Sequence, residues 1–217
     1  MRLKRFGLAA AALAVLALSA TAHCDDSELV KKFLSAVDSK NPANVSKVIE
    51  ENKDKIPGEI KALMDEARVP AATEEDREAK LYTAEMLANA YKDATGKTDL
   101  VRDVKRLSFD LKLTPAIRPV PAADGVVVID MPSPTDKTKN IFIPDNIIIK
   151  KGTTVRWTNT DKVHHILASL RMLGAGGIMS PSVEPGQSWE FKFEKPGDYY
   201  YICFVHKAMI GKITVEE

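Results

Sequence analysis

Between Asp26 and about Lys112 apolar residues recur three and four positions apart, the period of helices that bury one stripe. Leu29, Phe33, Leu34 and Val37 mark a first helix, and Pro42 stands where it can open a second carrying Val45, Val48 and Ile49. Pro57 opens a third, with Ile60, Leu63, Met64 and Ala67 inward. Thr73 is placed to cap a longer fourth helix through Leu81, Ala84, Leu87, Ala90 and Tyr91, and Gly96 fits its C-terminal stop. Leu100, Val104, Leu107 and Leu111 continue as a fifth. This stretch, rich in Lys, Glu, Ala and Leu, predicts antiparallel helical hairpins with no second copy at a fixed period.

After this the pattern changes. Three prolines fall in the seven residues Pro115 to Pro121, so the chain cannot continue as a helix and is expected to run extended as a linker. Beyond residue 124 short apolar runs alternate with Gly and Pro signals. Val126–Ile129 reads as a strand broken by Met131-Pro132. Ile141–Ile143 and Asn146–Ile149 read as a strand pair or one bent strand kinked at Pro144. Val155 and Trp157 share a face of the next strand, followed by strands over 189–193, 199–203 and 211–215. Residues 167 to 182, with Leu170, Met172, Leu173, Gly174, Gly176, Gly177, Ile178 and Met179, read as a glycine-loosened apolar loop. Seven or eight short strands predict a Greek-key β-sandwich. The fold class is therefore α + β multidomain: a signal peptide over 1–22, a helical hairpin domain over 23–113, a Pro-rich linker over 114–123 and the β-sandwich domain over 124–217.

The signal peptide rests on the basic start Arg2, Lys4 and Arg5, an apolar run over residues 7–18 and a small-x-small site ending at Ala22. That run is shorter than the roughly 20 residues a spanning helix needs. Cleavage after Ala22 gives an exported, periplasmic location and leaves His23 at a flexible end. Cys24 is preceded by His23, where lipidation requires a small residue. Removing the three leader cations leaves 28 basic against 30 acidic residues, so the mature chain is close to neutral and nucleic acid is not its partner. Charges on the helical stretch are interleaved as on a solvated face.

Chemistry concentrates near the C-terminus. Cys203, His206 and Met209 offer a thiolate, an imidazole and a thioether within one turn. Copper shuttling between Cu(I) and Cu(II) suits two imidazoles and one thiolate in a trigonal plane with a weak axial thioether. The missing imidazole belongs upstream, where His164 and His165 are neighbours; successive strand residues point to opposite faces, so one of the two reaches the site. A disulfide between Cys24 and Cys203 would consume the thiolate and is not expected. Trp157 reads as core, and Asn159 and Asp161 as residues that shape the turn before the histidines.

Together, Trp157-Thr158-Asn159, the downstream His, Cys203-x2-His206-x2-Met209 and the alternating strand after it resemble the cupredoxin family of plastocyanin, pseudoazurin and amicyanin. The resemblance covers roughly residues 124–217 and is nearest to amicyanin in its short ligand loop. It implies that His165, eight residues beyond the Trp, is the first copper imidazole, so the implied metal ligands are His165, Cys203, His206 and Met209. It also implies that His206 lies near the surface as an electron port, beside Lys207. Many relatives follow the first His with an Asn that ties two strands together; this chain has Ile166 there and Phe204 after the Cys.

The expected function is that of an exported type 1 blue copper protein carrying single electrons between redox protein donors and acceptors, not that of an enzyme. Docking is expected near His206 and the apolar loop 170–179, and the helical domain is a candidate module for binding another protein. The alternative is periplasmic copper storage or delivery, which carriers usually perform with Met- or Cys-rich sites. Catalysis as in multicopper oxidases needs a second metal site, for which the four histidines provide no cluster.

Overall fold

The computed structural model describes residues 27–135, 141–206 and 208–217. The leader, the cleavage site, His23, Cys24 and Lys207 lie outside these residues. Among the described residues five helices come first: α1 (Glu28–Asp38), α2 (Pro42–Glu51), α3 (Ile56–Ala67), α4 (Glu74–Thr95) and α5 (Asp99–Asp110). Among the described residues, no helix is long and apolar enough to cross a membrane.

Local chemistry sets the helix ends. Ser27 and Asn41 cap α1 and α2, accepting from the N–H groups of Val30 and Ala43. Thr73 forms a reciprocal capping box with Asp76 at the start of α4, and Gly96 ends that helix with a left-handed φ of 77°. One core joins the five helices, built on Phe33, Ile49, Ile56, Ile60, Leu87 and Val104. Leu111 departs from the helical pattern: it caps α5 half-exposed, and Phe109 is buried in its stead.

Seven strands follow among the described residues: β1 (Val127–Pro132), β2 (Asn146–Lys150), β3 (Thr154–Thr160), β4 (Leu167–Ser169), β5 (Ser188–Lys192), β6 (Gly197–Cys203) and β7 (Ile210–Glu216). They form two sheets, in the orders β1-β3-β5 and β2-β7-β6-β4. Alternate residues of both sheets meet inside, among them Ile129, Met131, Ile147, Val155, Trp157, Tyr199, Tyr201, Cys203 and Ile213. Trp157 donates its indole N–H to the Tyr201 hydroxyl at 3.3 Å, which satisfies both polar groups in a dry interior. Gly211 lies against the Tyr201 ring so closely that no Cβ fits.

Three sequence expectations change here. Met131-Pro132 does not break β1: it completes the strand, because β1 is an edge strand and Pro132 stands at its last position. Residues 141–143 make only an isolated bridge, Ile143 to Asp130, and form no strand. Residues 167–182 are not loose. Leu167–Ser169 is β4, bridges join Ala168 to Met179 and His165 to Val183, and Leu173 and Ile178 are buried.

The proline-bearing stretch after α5 runs along β2. Ile117 exchanges backbone hydrogen bonds with Asn146 and Ile148, Thr114 bonds the Asp145 carboxylate, and Arg118 makes a two-pronged ion pair with Glu216. Among the described residues, α5 meets the outer face of the second sheet. There Phe109 packs edge-on against Tyr200 beside Leu173, Lys212 pairs with Asp110, and Arg106 donates to the Leu173 carbonyl.

Candidate metal centre

Two chain segments converge at one end of the sandwich. The first leaves β3 through a turn knotted by Asn159, which is fully buried: its amide donates to the carbonyls of Val163 and Val183 at 2.8 Å, and its oxygen accepts from Asp161 N–H at 2.8 Å. The turn delivers His165, whose backbone is paired in both directions with Val183. Asn159 and Asp161 thus shape this turn as their residue types suggest.

The second segment is the end of β6, where Cys203 pairs across to Leu167. A short loop returns to β7, closed by two backbone hydrogen bonds, Cys203 N–H to Met209 O at 3.0 Å and Met209 N–H to His206 O at 2.9 Å. Phe204 N–H donates to Ile166 O at 2.8 Å, so the two segments are tied through the main chain where many relatives use an Asn side chain.

Three donor atoms come together. Cys203 Sγ lies 3.5 Å from His165 Nδ1 and 3.8 Å from His206 Nδ1, and the two imidazole nitrogens are 3.3 Å apart. A triangle with those sides has its centre about 2.0 Å from each corner, close to the length of a metal–imidazole bond, roughly 2.0–2.1 Å. Among the described residues this is the one group of three His, Cys, Asp or Glu side chains that could hold a metal ion. Cys203, His165 and Met209 are fully buried, and His206 is partly exposed. His164 points outward into solvent, as alternation along an extended chain requires.

The surroundings favour a neutral imidazole at His165. Burial and the neighbouring His206 hold its pKa below the ordinary value, against the opposing pull of Asp161. Burial acts to raise the Asp161 carboxyl, but hydrogen bonds from Ser133 and Lys162 N–H and its pairing with His165 bring it below the usual range. The contact between Asp161 Oδ2 and His165 Nε2, at 3.2 Å, was not anticipated from sequence. The signal was present only as a carboxylate four residues before the His, a spacing that becomes informative once the turn between them is known.

The other apolar residues do not join the centre. Of the apolar loop 170–179, the turn over residues 170–177 lies toward the opposite end of β6 beside the helices, with Leu170 N–H bonded to Tyr200 O and Ala175 N–H to Asp198 O, while exposed Met179 bridges Ala168, whose strand partner Ile202 precedes Cys203. Met172 is exposed on that turn. Exposed beside the centre instead are Phe204, Val205 and Val163.

One cysteine sulfur and two imidazoles brought together, with Cys203 and His165 buried, His206 partly exposed and a buried thioether residue closing the loop, match the donor class that selects copper. Residues 130–216 match the family described as copper binding proteins of the plastocyanin/azurin family. Amicyanin-alpha of Methylorubrum extorquens is 36% identical over 76 residues, covering 35% of this chain and 64% of that protein. Amicyanin of Paracoccus denitrificans is 30% identical over 95 residues, covering 43% of this chain and 68% of the relative. Plastocyanin of Scenedesmus fuscus is 31% identical over 85 residues, covering 35% of this chain and 87% of the relative. The chain thus spans just under two thirds of the first of these relatives, and the family match, which begins at residue 130, leaves the helices outside it. Through this C-terminal part the chain belongs to the copper-binding plastocyanin/azurin family, and a single type 1 copper ion is its cofactor.

Proposed function

We propose that the chain is a carrier of single electrons between redox proteins, in which His165, Cys203 and His206, with Met209 as a weak fourth donor, would hold the copper that supplies the one-electron couple. The observation that carries this reading is the triangle of one sulfur and two nitrogens, buried at Cys203 and His165 and open to solvent at His206, with sides of 3.3 to 3.8 Å. Copper supplies a one-electron couple; the protein supplies a frame that does not need to rearrange. His165 is clamped by Val183 and Asp161, Cys203 sits in a sheet, and the loop to Met209 is closed by its own hydrogen bonds. Ligands so constrained would need to move little on electron gain or loss, which would keep reorganisation small.

His206 is the ligand nearest solvent, and exposed Phe204, Val205 and Val163 surround it with apolar surface suited to brief docking of a partner. With a leader over 1–22 removed after Ala22, the carrier works in the periplasm or another exported compartment. The segment 23–113, which carries helices α1 to α5, then forms an added domain, and the stretch 114–123 its connection to the copper domain over 124–217.

Voltammetry of the copper-loaded full chain tests the function. A reversible one-electron wave, with one copper per chain retained through repeated cycles, is expected. Loss of copper on each reduction contradicts electron transfer and indicates metal delivery.

A further inference from the structure

The two nitrogens of His165 have different surroundings. Nδ1 faces the thiol sulfur and the second imidazole. Nε2 faces the Asp161 carboxylate, in a contact where the two side chains are 0% and 3% exposed. The other oxygen of that carboxylate accepts from Ser133 Oγ and from Lys162 N–H, each at 2.6 Å. A carboxylate ringed by donors acts as an acceptor. A neutral imidazole has one N–H, so a proton held at Nε2 leaves the Nδ1 lone pair bare.

The backbone around Asp161 is built to keep this contact. Asn159 accepts from Asp161 N–H and, through Val163 and Val183, closes the turn that folds the carboxylate back beneath the ring. Ser133 follows the first edge strand, so the chain Ser133–Asp161–His165 links β1 to the metal centre across the end of the sandwich.

We propose that Asp161 is the positioning residue of the copper centre: it fixes His165 as the Nε2–H tautomer, aims Nδ1 between Cys203 and His206, and thereby sets the affinity for copper. The affinity part rests on the copper reading given above; the tautomer part concerns the metal-free chain. Ser133 supports the same contact one bond further away. Such partners on the far nitrogen of a ligating His typically change metal affinity by about 10- to 100-fold when altered.

The test compares wild type, Asp161→Asn and Ser133→Ala as full chains. Long-range nitrogen–proton NMR of the metal-free protein reads the His165 tautomer, and competition with a chelator of known strength reads copper affinity. Wild type should show a single Nε2–H tautomer at His165. Asp161→Asn should populate both tautomers, because an amide offers either a donor or an acceptor, and should weaken copper binding about 10- to 100-fold. Ser133→Ala keeps the carboxylate and should keep the tautomer with a smaller loss of affinity, which maintains the test if the Asn variant folds poorly. Unchanged tautomer and affinity within twofold in Asp161→Asn overturn the proposal, as does a variant that only melts earlier. A wild-type chain that binds no copper overturns the copper reading instead, while the tautomer spectra still decide the role of Asp161.

Discussion

The helices and the sandwich divide the molecule between two kinds of order. Among the helices the buried residues are almost all apolar, and the charged side chains lie outside in pairs such as Lys80 with Glu66 and Lys105 with Glu85. In the sandwich the buried set includes Asn159, Asp161 and His165, each satisfied by a named partner. Burying polar groups costs free energy unless each is paired, so a region tolerates them only where the fold supplies every partner. The contrast teaches where chemistry can be housed: a purely apolar core holds a shape, whereas a core with a paired polar corner holds a reactive group at a fixed place.

This contrast can be broken by substitutions on either side of it. The largest effect is expected from Ile60→Ala, which empties a fully buried site between the helices and should cost about 2–5 kcal/mol of stability. The visible spectrum of the copper-loaded chain should be unchanged, and a spectrum that changes would show that the helical core reaches the metal. Next is Tyr201→Phe, which strips the acceptor from the buried Trp157 indole and should cost about 1–3 kcal/mol in thermal unfolding. Removing the Thr73 cap with Thr73→Ala should lower stability by about 1 kcal/mol, read in chemical denaturation. The smallest effect concerns the join along β2. Arg118 and Lys150 hold the Glu216 carboxyl down at about 2, from 4.5. A depressed folded-state value means that this contribution is complete above pH 4.5 and fades as pH falls toward 2. Protection of the Ile117 and Ile148 amides, taken relative to their intrinsic exchange rates at each pH, should fall across that window, and Arg118→Ala should reduce the dependence to the share that Lys150 contributes.

Periodicity made most of the helices legible because each buries one stripe. Pro42, Thr73 and Gly96 also announced their ends through backbone chemistry that only a few residue types satisfy. Leu111 misled because a stripe extrapolated one turn further does not show where the chain turns away; Phe109 does, through its contact with Tyr200. In the sandwich, Cys203, His206 and Met209 stood out as candidate donors because a metal demands those residue types at short range, and the fold brings Cys203 and His206 together with His165. His165 needed the family resemblance to be chosen over His164. Asp161 was not legible as its partner, since their meeting depends on the turn built by Asn159. The packing of residues 167–182 was also hidden: its glycines suggest freedom, and only the neighbouring strands show that they permit close approach, as Gly174 does against Asp198.

The central claim is that Cys203, in its triangle with His165 and His206, makes the copper bond that defines this protein. Visible absorption and copper content of the oxidised full chain, set beside a Cys203→Ser variant, test it most directly. The account predicts one copper per wild-type chain with an intense thiolate-to-copper charge-transfer band that is lost in the variant. A colourless wild-type chain, or a band that survives without the thiol, would contradict it.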